Sequence, residues 1–228
     1  MFEEAAHSSC LNKYYQTNCL PLAAVTDADS CPRPLTEQLE RIAAGAYKPA
    51  ALLLRAKNLS PQEYFLLAEK MLPLCQKQQI KLILHTHWHC AHKLEIKNLH
   101  LPLNLLAAMP AKQRRLFTIS TSVHSVAEAQ QALNLGAKFL LAGHIYATGC
   151  KANLPPRGLN FLRAVCQTAA KHNAQQNLRG QNSAVVYAIG GIKFDGAQWQ
   201  ELQAAGAAGA CRCSSCHCAP SNFIPPMA

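Results

Sequence analysis

Four histidines and a cysteine fall within eight residues of the stretch HTHWHCAH, residues 85–92. Alternate side chains of a β-strand point to the same face, so His85, His87 and His89 would share one face if a strand carried all three. Three imidazoles on one face suit zinc, and open zinc sites of hydrolases use such sets. Whether the stretch binds metal therefore depends on the element that carries it.

A second stretch, CRCSSCHC at residues 211–218, has the density of a thiolate metal site. Its first half also alternates as a strand would, with Cys211 and Cys213 on one face and Arg212 on the other. These residues could therefore form either a metal site or a buried strand, and we expect the strand.

Other chemically able residues follow short apolar runs. His144 and Lys151 lie in GHIYATGCK, directly after such a run, and Arg55 ends another. Gly190 and Gly191 end the run YAIGG, where a backbone without side chains lets N–H groups approach an anion closely. Each has a plainer alternative: a structural histidine, a surface arginine, an ordinary strand-to-helix turn.

The elements that must position these residues alternate along the chain. Uniformly apolar strands separated by single amphipathic helices indicate parallel β-structure with helical crossovers. Eight such units predict a (β/α)8 TIM barrel, of the α/β class, rather than an open doubly wound sheet. The eight strand candidates are residues 20–25, 50–55, 81–85, 98–101, 116–120, 138–143, 184–191 and 208–213.

The clearest helix candidate covers residues 60–78. Ser60 can cap it, Pro61 occupies the first helical position, and Glu63 completes a capping box. The stretch SVAEAQQALNLG repeats this pattern, with a capping Ser, a Glu three residues later and a closing Gly.

The chain has 228 residues, half of them hydrophobic, which predicts one globular domain. We expect residues 1–18 to form a flexible polar lead, residues 19–218 the barrel and residues 219–228 a tail. The segment after residue 213 is short and rich in proline, which predicts a truncated closing helix. Without an apolar run of membrane-spanning length or a secretory signal, the sequence predicts a soluble, cytoplasmic protein with reduced cysteines.

The net charge of +10 is compatible with nucleic acid, an acidic membrane surface or a phosphorylated small molecule as partner. Lys and Arg are scattered, and the sequence contains no recognisable nucleic-acid module. We therefore expect a phosphorylated small molecule, and neither nucleic acid nor a membrane. Homo-oligomer formation stays open.

The motifs together carry a family resemblance. The chain contains S-x-H at the fifth strand, G-x-x-x-x-T-x-x-K after the sixth, R-G-L at the start of the next helix, and A-I-G-G-I at the seventh strand. With AAVTD at 23–27 and LLLRAK at 52–57, it resembles the thiamine phosphate synthase and TenI superfamily. The resemblance implies a (β/α)8 barrel with its site at the carboxyl ends of the strands.

Two activities compete within that superfamily. Its synthases join a pyrimidine diphosphate to a thiazole phosphate, need magnesium, and carry Asn-Asp after the third strand and H-L-G-Q-x-D after the fourth. This chain has His85 and Thr86 in place of the pair, and HLPLNLL in place of the second motif. Because magnesium prefers oxygen ligands, the missing acids weaken the synthase reading.

The Gly-His pair at the end of the sixth strand is similar to that of TenI-like proteins. The resemblance therefore implies a thiazole tautomerase, an isomerase that aromatises a carboxythiazole phosphate by moving a proton from C2 to an exocyclic carbon. Such a reaction needs neither metal nor cofactor. Thiamine phosphate synthase and a catalytically inactive, ligand-binding or regulatory barrel are the alternatives.

The resemblance also implies roles for single residues. His144 would shuttle the proton, since an imidazole is both a competent base and, once charged, a competent acid; His124 is the alternate or supporting group. On the family's pattern, His85 ends the third strand at the pocket while His87 and His89 follow it, so a shared zinc is not expected. The substrate's phosphate and carboxylate would contact Gly190, Gly191, Ser214, Arg55 and Lys151.

Overall fold

A computed structural model describes residues 21–26, 31, 33–45, 48–177, 182–193 and 196–213. Eight parallel strands close into a barrel in chain order, which confirms the predicted (β/α)8 architecture. The strands are β1 (Leu22–Val25), β2 (Ala51–Leu54), β3 (Lys81–His85), β4 (Asn98–His100), β5 (Thr118–Val123), β6 (Phe139–Gly143), β7 (Val185–Ile189) and β8 (Gly209–Cys213).

Helices surround this barrel. In the described part of the chain they are α1 (Leu35–Ala44), α2 (Pro61–Lys77), α3 (Trp88–Lys93), α4 (Leu103–Ala108), α5 (Ala111–Arg114), α6 (Val126–Asn134), α7 (Gly158–Gln175) and α8 (Gly196–Ala204), with a 3₁₀ turn at Gly149–Lys151. No helix among these residues is both long and apolar enough to cross a membrane.

Apolar side chains fill both faces of the strands, as a parallel barrel requires. On β2, Leu52 and Leu54 point outward into the large core beneath the helices. Leu53 points inward and packs in the centre of the barrel with Ala23, Leu141 and Cys211. This two-sided burial is the reason why the strands appear in the sequence as continuous apolar runs.

The predicted capping box of α2 is confirmed. The Glu63 N–H donates to Ser60 Oγ at 3.3 Å, and the Ser60 N–H donates to Glu63 Oε2 at 2.8 Å. Pro61 is the first residue of the helix. These bonds satisfy backbone donors at the helix start that have no partner within the helix.

The start of α6 departs in part from the same prediction. Ser125 Oγ accepts from the Glu128 N–H, as expected for a cap. The Glu128 carboxylate accepts from the backbone N–H of His124, one residue before the cap. The helix start thus holds the residue that follows β5.

The predicted fifth strand was placed too early, at residues 116–120. In the structure Leu116 and Phe117 belong to the turn after α5, and β5 runs from Thr118 to Val123. The polar sequence Ser-Thr-Ser hid the second half of the strand, although Ser120 and Thr121 are buried. The predicted lead at 1–18, the tail at 219–228 and Ser214 lie outside the described residues.

Candidate active site

The carboxyl ends of β2, β3 and β4 bring Arg55, His85 and His100 to one rim of the barrel. Leu54 pairs with Leu84 across the first two strands, and His85 pairs with His100 across the next two. The two imidazole rings stack with centroids 5.5 Å apart and an angle of 17° between their planes. The register of the parallel strands therefore assembles this group.

His100 was not singled out from the sequence, yet it is the most buried histidine of the rim, only 3% exposed. Its Nδ1 lies 2.9 Å from Ser120 Oγ, and its Nε2 lies 3.2 Å from Ser122 Oγ. Ser120 Oγ donates onward to the Leu99 carbonyl, so it accepts from an N–H at Nδ1. The neutral ring then accepts at Nε2 from Ser122. The sequence did offer a signal for this residue, because His100 is the inward-facing residue at the end of a short strand.

Both stacked rings are neutral at pH 7. Burial, together with the nearby His85 and Arg55, lowers the pKa of His100 to about 3, and burial is the largest cause. Burial, the neighbouring cations Arg55 and Lys57, and the His87 imidazole together lower the pKa of His85 to about 4, and burial is the largest cause. Burial and like charge both disfavour the protonated imidazole.

Tyr64 and Thr86 fix the backbone around His85. The buried Tyr64 hydroxyl donates to the Leu54 carbonyl at 2.7 Å and accepts from the His85 N–H at 2.8 Å. The Thr86 N–H donates to the His100 carbonyl at 2.9 Å, and its Oγ1 donates to the His85 carbonyl at 2.7 Å. Thr86 adopts a positive φ of 63°, where its side chain is turned back onto the main chain.

The remaining histidines of HTHWHCAH diverge from His85. Strand β3 ends at His85 and α3 begins at Trp88, so strand alternation does not extend to the later histidines. The His87 ring stacks on Tyr64 at 4.1 Å, and the His89 ring stacks on Trp88 at 3.5 Å. Across the described residues, no group of three or more His, Cys, Asp or Glu side chains could hold a metal ion.

Magnesium, which the resemblance associates with the synthases, does not fit this rim. On the family's pattern, the acid position after β3 is Thr86, whose hydroxyl hydrogen is donated to the backbone, and the acid position after β4 is the aliphatic Leu105. Magnesium prefers carboxylate, carbonyl and water oxygens. At these two positions the chain offers magnesium no carboxylate.

His124 lies at the carboxyl end of β5, against the end of β6. Its Nδ1 is 2.8 Å from the Gly143 carbonyl. A carbonyl only accepts, so Nδ1 carries the hydrogen and, in the neutral ring, Nε2 carries the lone pair. The half-buried ring is thus held as one tautomer.

His144 directly follows β6 and is only 5% exposed. Its Nε2 is 3.3 Å from the Leu154 carbonyl, so the lone pair of the neutral ring is at Nδ1. The backbone carbonyl of His144 accepts from the Arg157 N–H at 3.0 Å. The loop between β6 and α7 therefore folds back and holds this histidine.

Gly190 and Gly191 allow two loops to pack closely. Both have positive φ angles, 96° and 69°. A Cβ on Gly190 would lie 2.3 Å from the His144 Cβ, and one on Gly191 would lie 2.5 Å from the Ala147 carbonyl oxygen. Close packing by itself therefore requires glycine at both positions, and an anion-binding role remains a proposal.

The structure thus brings the sequence candidates into two groups. Arg55 and His85 lie at the rim of β2–β4, whereas His124, His144 and Gly190 surround the end of β6. Lys151 is exposed on the 3₁₀ turn of the following loop.

A closed parallel barrel with histidines at the carboxyl ends of its strands has the arrangement of a (β/α)8 enzyme. The sequence pattern of the thiamine monophosphate synthase family, TMP-TENI, matches residues 22–216, and the chain belongs to that family.

Curated relatives agree with this membership. The chain is 33% identical over 159 residues to a thiamine-phosphate synthase of Herpetosiphon aurantiacus, covering 69% of this chain and 70% of the relative. It is 30% identical over 158 residues to a thiamine-phosphate synthase of Thermus thermophilus, covering 68% and 69%. A solved structure of thiamine phosphate pyrophosphorylase from Pyrococcus furiosus is similar in fold, with a TM-score of 0.65, 23% identity and 86% of each chain covered.

Proposed function

We propose that this chain is an enzyme of thiamine biosynthesis that binds a thiazole phosphate at the carboxyl ends of its strands. Membership of the thiamine monophosphate synthase family supports a role in thiamine biosynthesis. The motifs around β5, β6 and β7 support a thiazole phosphate, which the synthases and the TenI-like tautomerases share as a ligand.

The reaction that the site geometry favours is proton transfer. The observation that carries it is the presence of two histidines at the end of β6: His124 bonds to the Gly143 carbonyl, and His144, the next residue, bonds to the Leu154 carbonyl. Each ring donates one N–H to a carbonyl, which fixes its tautomer and leaves one nitrogen with a lone pair. Such a group can take a proton and return it.

In this isomerase reaction, one imidazole takes the C2 proton of the carboxythiazole phosphate and becomes imidazolium. The electrons of the C2–H bond form a ring double bond, and the exocyclic double bond takes a proton at its terminal carbon. The imidazolium returns that proton, so the enzyme ends in its starting state. The product ring is aromatic.

The transferase, thiamine-phosphate synthase, is the second candidate. The names of the relatives support it better than they support the isomerase. Against it stands the rim of this particular chain, which has Thr86 and Leu105 where the synthases carry acids. The names give the activity of related proteins, whereas the rim residues belong to this chain itself.

Two assays on the same purified protein separate the candidates. The first follows aromatisation of the carboxythiazole phosphate by absorbance with EDTA present, and the second follows thiamine phosphate formation from pyrimidine diphosphate, thiazole phosphate and magnesium. We expect turnover in the first and none at enzymatic rates in the second. Turnover only in the second would establish the transferase. Thiazole phosphate binding without either turnover would identify an inactive barrel, and absence of binding would refute the proposal.

A further inference from the structure

The amino ends of the strands form the face of the barrel opposite the candidate active site. In a barrel of this kind the chemistry takes place at the carboxyl ends of the strands. The amino face nevertheless carries a set of exposed side chains where the chain enters β3, β4 and β5. We call this set the basic patch, and it consists of Lys81, Lys97, Lys112, Arg115 and Leu116.

Strand pairing brings the basic patch together. Lys81 is the first residue of β3, and Lys97 directly precedes β4, the next strand of the barrel. The Thr118 N–H donates to the Lys97 carbonyl at 2.8 Å, which joins the start of β5 to the start of β4. Leu116 lies two residues before this bond. Because adjacent strands are about 4.8 Å apart, one bound segment can reach all of these side chains.

The turn between α5 and β5 presents the apolar member of the patch. The Leu116 N–H donates to the Gln113 carbonyl at 3.0 Å, so the backbone of the turn is held in place. The neighbouring Arg114 guanidinium is used inside the fold, where Nη1 donates to the Met109 carbonyl at 2.6 Å. The Leu116 side chain remains 48% exposed. An exposed side chain on a fixed turn loses less entropy when a partner binds it.

The charge of the patch is not neutralised within the described part of the chain. All four cations are exposed, and the ion pair recorded among these residues joins Arg33 to Glu37 at the start of α1. One acid, Glu95, lies on the same face, three residues before β4. Four cations against one carboxylate leave a local excess of positive charge, which attracts an acidic partner.

The surroundings of Leu116 distinguish it from other exposed apolar side chains. Among the described residues, the other large apolar side chains that are strongly exposed are Leu66, Leu105, Val126 and Leu154. The last three follow β4, β5 and β6, so they border the carboxyl face and its candidate site. Leu66 lies on α2, which also exposes Glu63 and Glu69. Leu116 therefore combines an apolar surface with a cationic neighbourhood on the face away from the site.

We propose that the basic patch is a docking surface for a partner protein, which binds through a segment that carries carboxylates around an apolar side chain. Leu116 is the apolar centre of the interface, and the four cations form its charged rim. A partner on the amino face leaves the carboxyl ends of the strands open to substrate. The docking surface does not rest on the proposed function.

Other occupants fit the patch less well than a protein segment. Single-stranded nucleic acid stacks its bases on aromatic side chains, and the patch contains none. A second copy of this chain carries the same net charge of +10, so like charges would repel. Amphipathic elements that bind anionic membranes combine basic residues with a broad apolar face, whereas the patch offers one leucine.

Fluorescence anisotropy of a labelled synthetic peptide, in which glutamates flank leucines, tests the docking surface. We expect the full chain to bind this peptide, with an affinity that falls as NaCl is added, because salt screens exposed charges. Two altered peptides, one with Gln for every Glu and one with Ser for every Leu, should each bind at least about 10-fold more weakly.

Two variants localise the binding. Leu116→Ser removes the apolar centre and is expected to weaken peptide binding about 10-fold. The double variant Lys97→Glu with Arg115→Glu reverses two charges, so it should weaken binding at least about 10-fold and reduce the salt dependence. Because these side chains are exposed, both variants should fold, which circular dichroism and urea denaturation check.

Helix α2 supplies the matched controls. Leu66 is 46% exposed, and Lys70 is one turn away on the same outer surface. Leu66→Ser and Lys70→Glu therefore make the same kinds of change away from the patch. Both should leave peptide affinity unchanged.

Several results would overturn the docking surface: no binding of the peptide, parental affinity in Leu116→Ser, or equal weakening in the α2 controls. Tighter binding of oligothymidylate, or of vesicles of phosphatidylserine and phosphatidylcholine, would assign the patch to nucleic acid or to a membrane. Self-association in sedimentation experiments that Leu116→Ser abolishes would assign it to a second copy. Peptide binding that requires removal of residues 1–18 would assign it to the chain's own amino-terminal segment.

Discussion

His144 and His124 differ in burial and in the carbonyl that each ring bonds, and this difference decides which ring nitrogen can accept a proton. His144 is nearly buried beneath the β6–α7 loop, with Nε2 bonded to the Leu154 carbonyl. His124 is half-buried and bonded through Nδ1 to the Gly143 carbonyl. The lone pairs of the two neutral rings are thus on different nitrogens.

Replacing His144 by Asn tests its proposed role as the proton shuttle. Asn keeps some hydrogen bonding but cannot take a proton near pH 7, so we expect turnover of the carboxythiazole phosphate to fall by about 10²–10⁴-fold, with ligand affinity nearly unchanged. Steady-state kinetics and ligand titration measure the two effects. Parental turnover in His144→Asn together with its loss in His124→Asn would move the shuttle to His124.

Gly190→Ala tests the close approach that seats His144. The new Cβ would lie 2.3 Å from the His144 Cβ, so the histidine must move. Gly136→Ala is the matched control, because Gly136 also has a positive φ, 89°, but no atom lies within 4 Å of its would-be Cβ. We expect Gly190→Ala to cost about 1–3 kcal/mol more than the control in urea denaturation, and to reduce turnover as well. Equal costs would show that only the backbone conformation matters.

At the scale of elements, Tyr64 joins α2 to two strands of the barrel. Its hydroxyl bonds to backbone groups of Leu54 and His85, and the side chain is fully buried. Tyr64→Phe leaves a carbonyl and an N–H without their partner, which we expect to lower the free energy of unfolding by about 1–3 kcal/mol.

The control for this prediction is Tyr146→Phe. The Tyr146 hydroxyl donates to Glu201 at 2.9 Å in an exposed setting, so its loss should change stability by no more than about 0.5 kcal/mol. Denaturant unfolding of both variants gives the comparison. A Tyr64→Phe protein as stable as the parent would mean that water replaces the lost bonds.

The HTHWHCAH stretch shows how an element boundary changes a chemical prediction. The spacing suits zinc only in a continuous strand, and the strand stops at His85. His87 then stacks on Tyr64, and His89 stacks on Trp88.

At the scale of the whole molecule, the two neutral rim histidines make stability depend on pH. Their folded pKa values, about 4 for His85 and about 3 for His100, lie below the unfolded value of about 6.5. Between these limits the unfolded chain binds more protons than the folded one, so stability is full above about pH 6.5 and falls as pH drops toward 4. The limiting slope is about 1.4 kcal/mol per pH unit for each such histidine.

Urea denaturation between pH 7 and pH 4 measures this slope. His100→Gln removes one of the two groups and should make the pH dependence shallower. His89→Gln, at an exposed position, should leave it unchanged. A parental slope in His100→Gln would show that other groups cause the acid sensitivity.

The sequence by itself determined the architecture of this protein. Apolar runs predicted eight strands, with β5 placed too early, because strands buried on both faces need mostly apolar residues. Ser60, Pro61 and Glu63 predicted the start of α2 because capping depends on neighbouring residues alone. The motifs around β6 and β7 predicted the family because each motif consists of residues that are close together in the sequence.

Only the tertiary structure decided which side chains meet. Ser120 and Ser122 make β5 polar, and they bond to His100, a residue 20 and 22 positions earlier whose partners no local pattern reveals. The stacking of His85 on His100 depends on strand register, and Gly190 is explained only when His144 lies against it. Local propensities act over a few residues, whereas a barrel rim joins the ends of strands that are far apart in the chain.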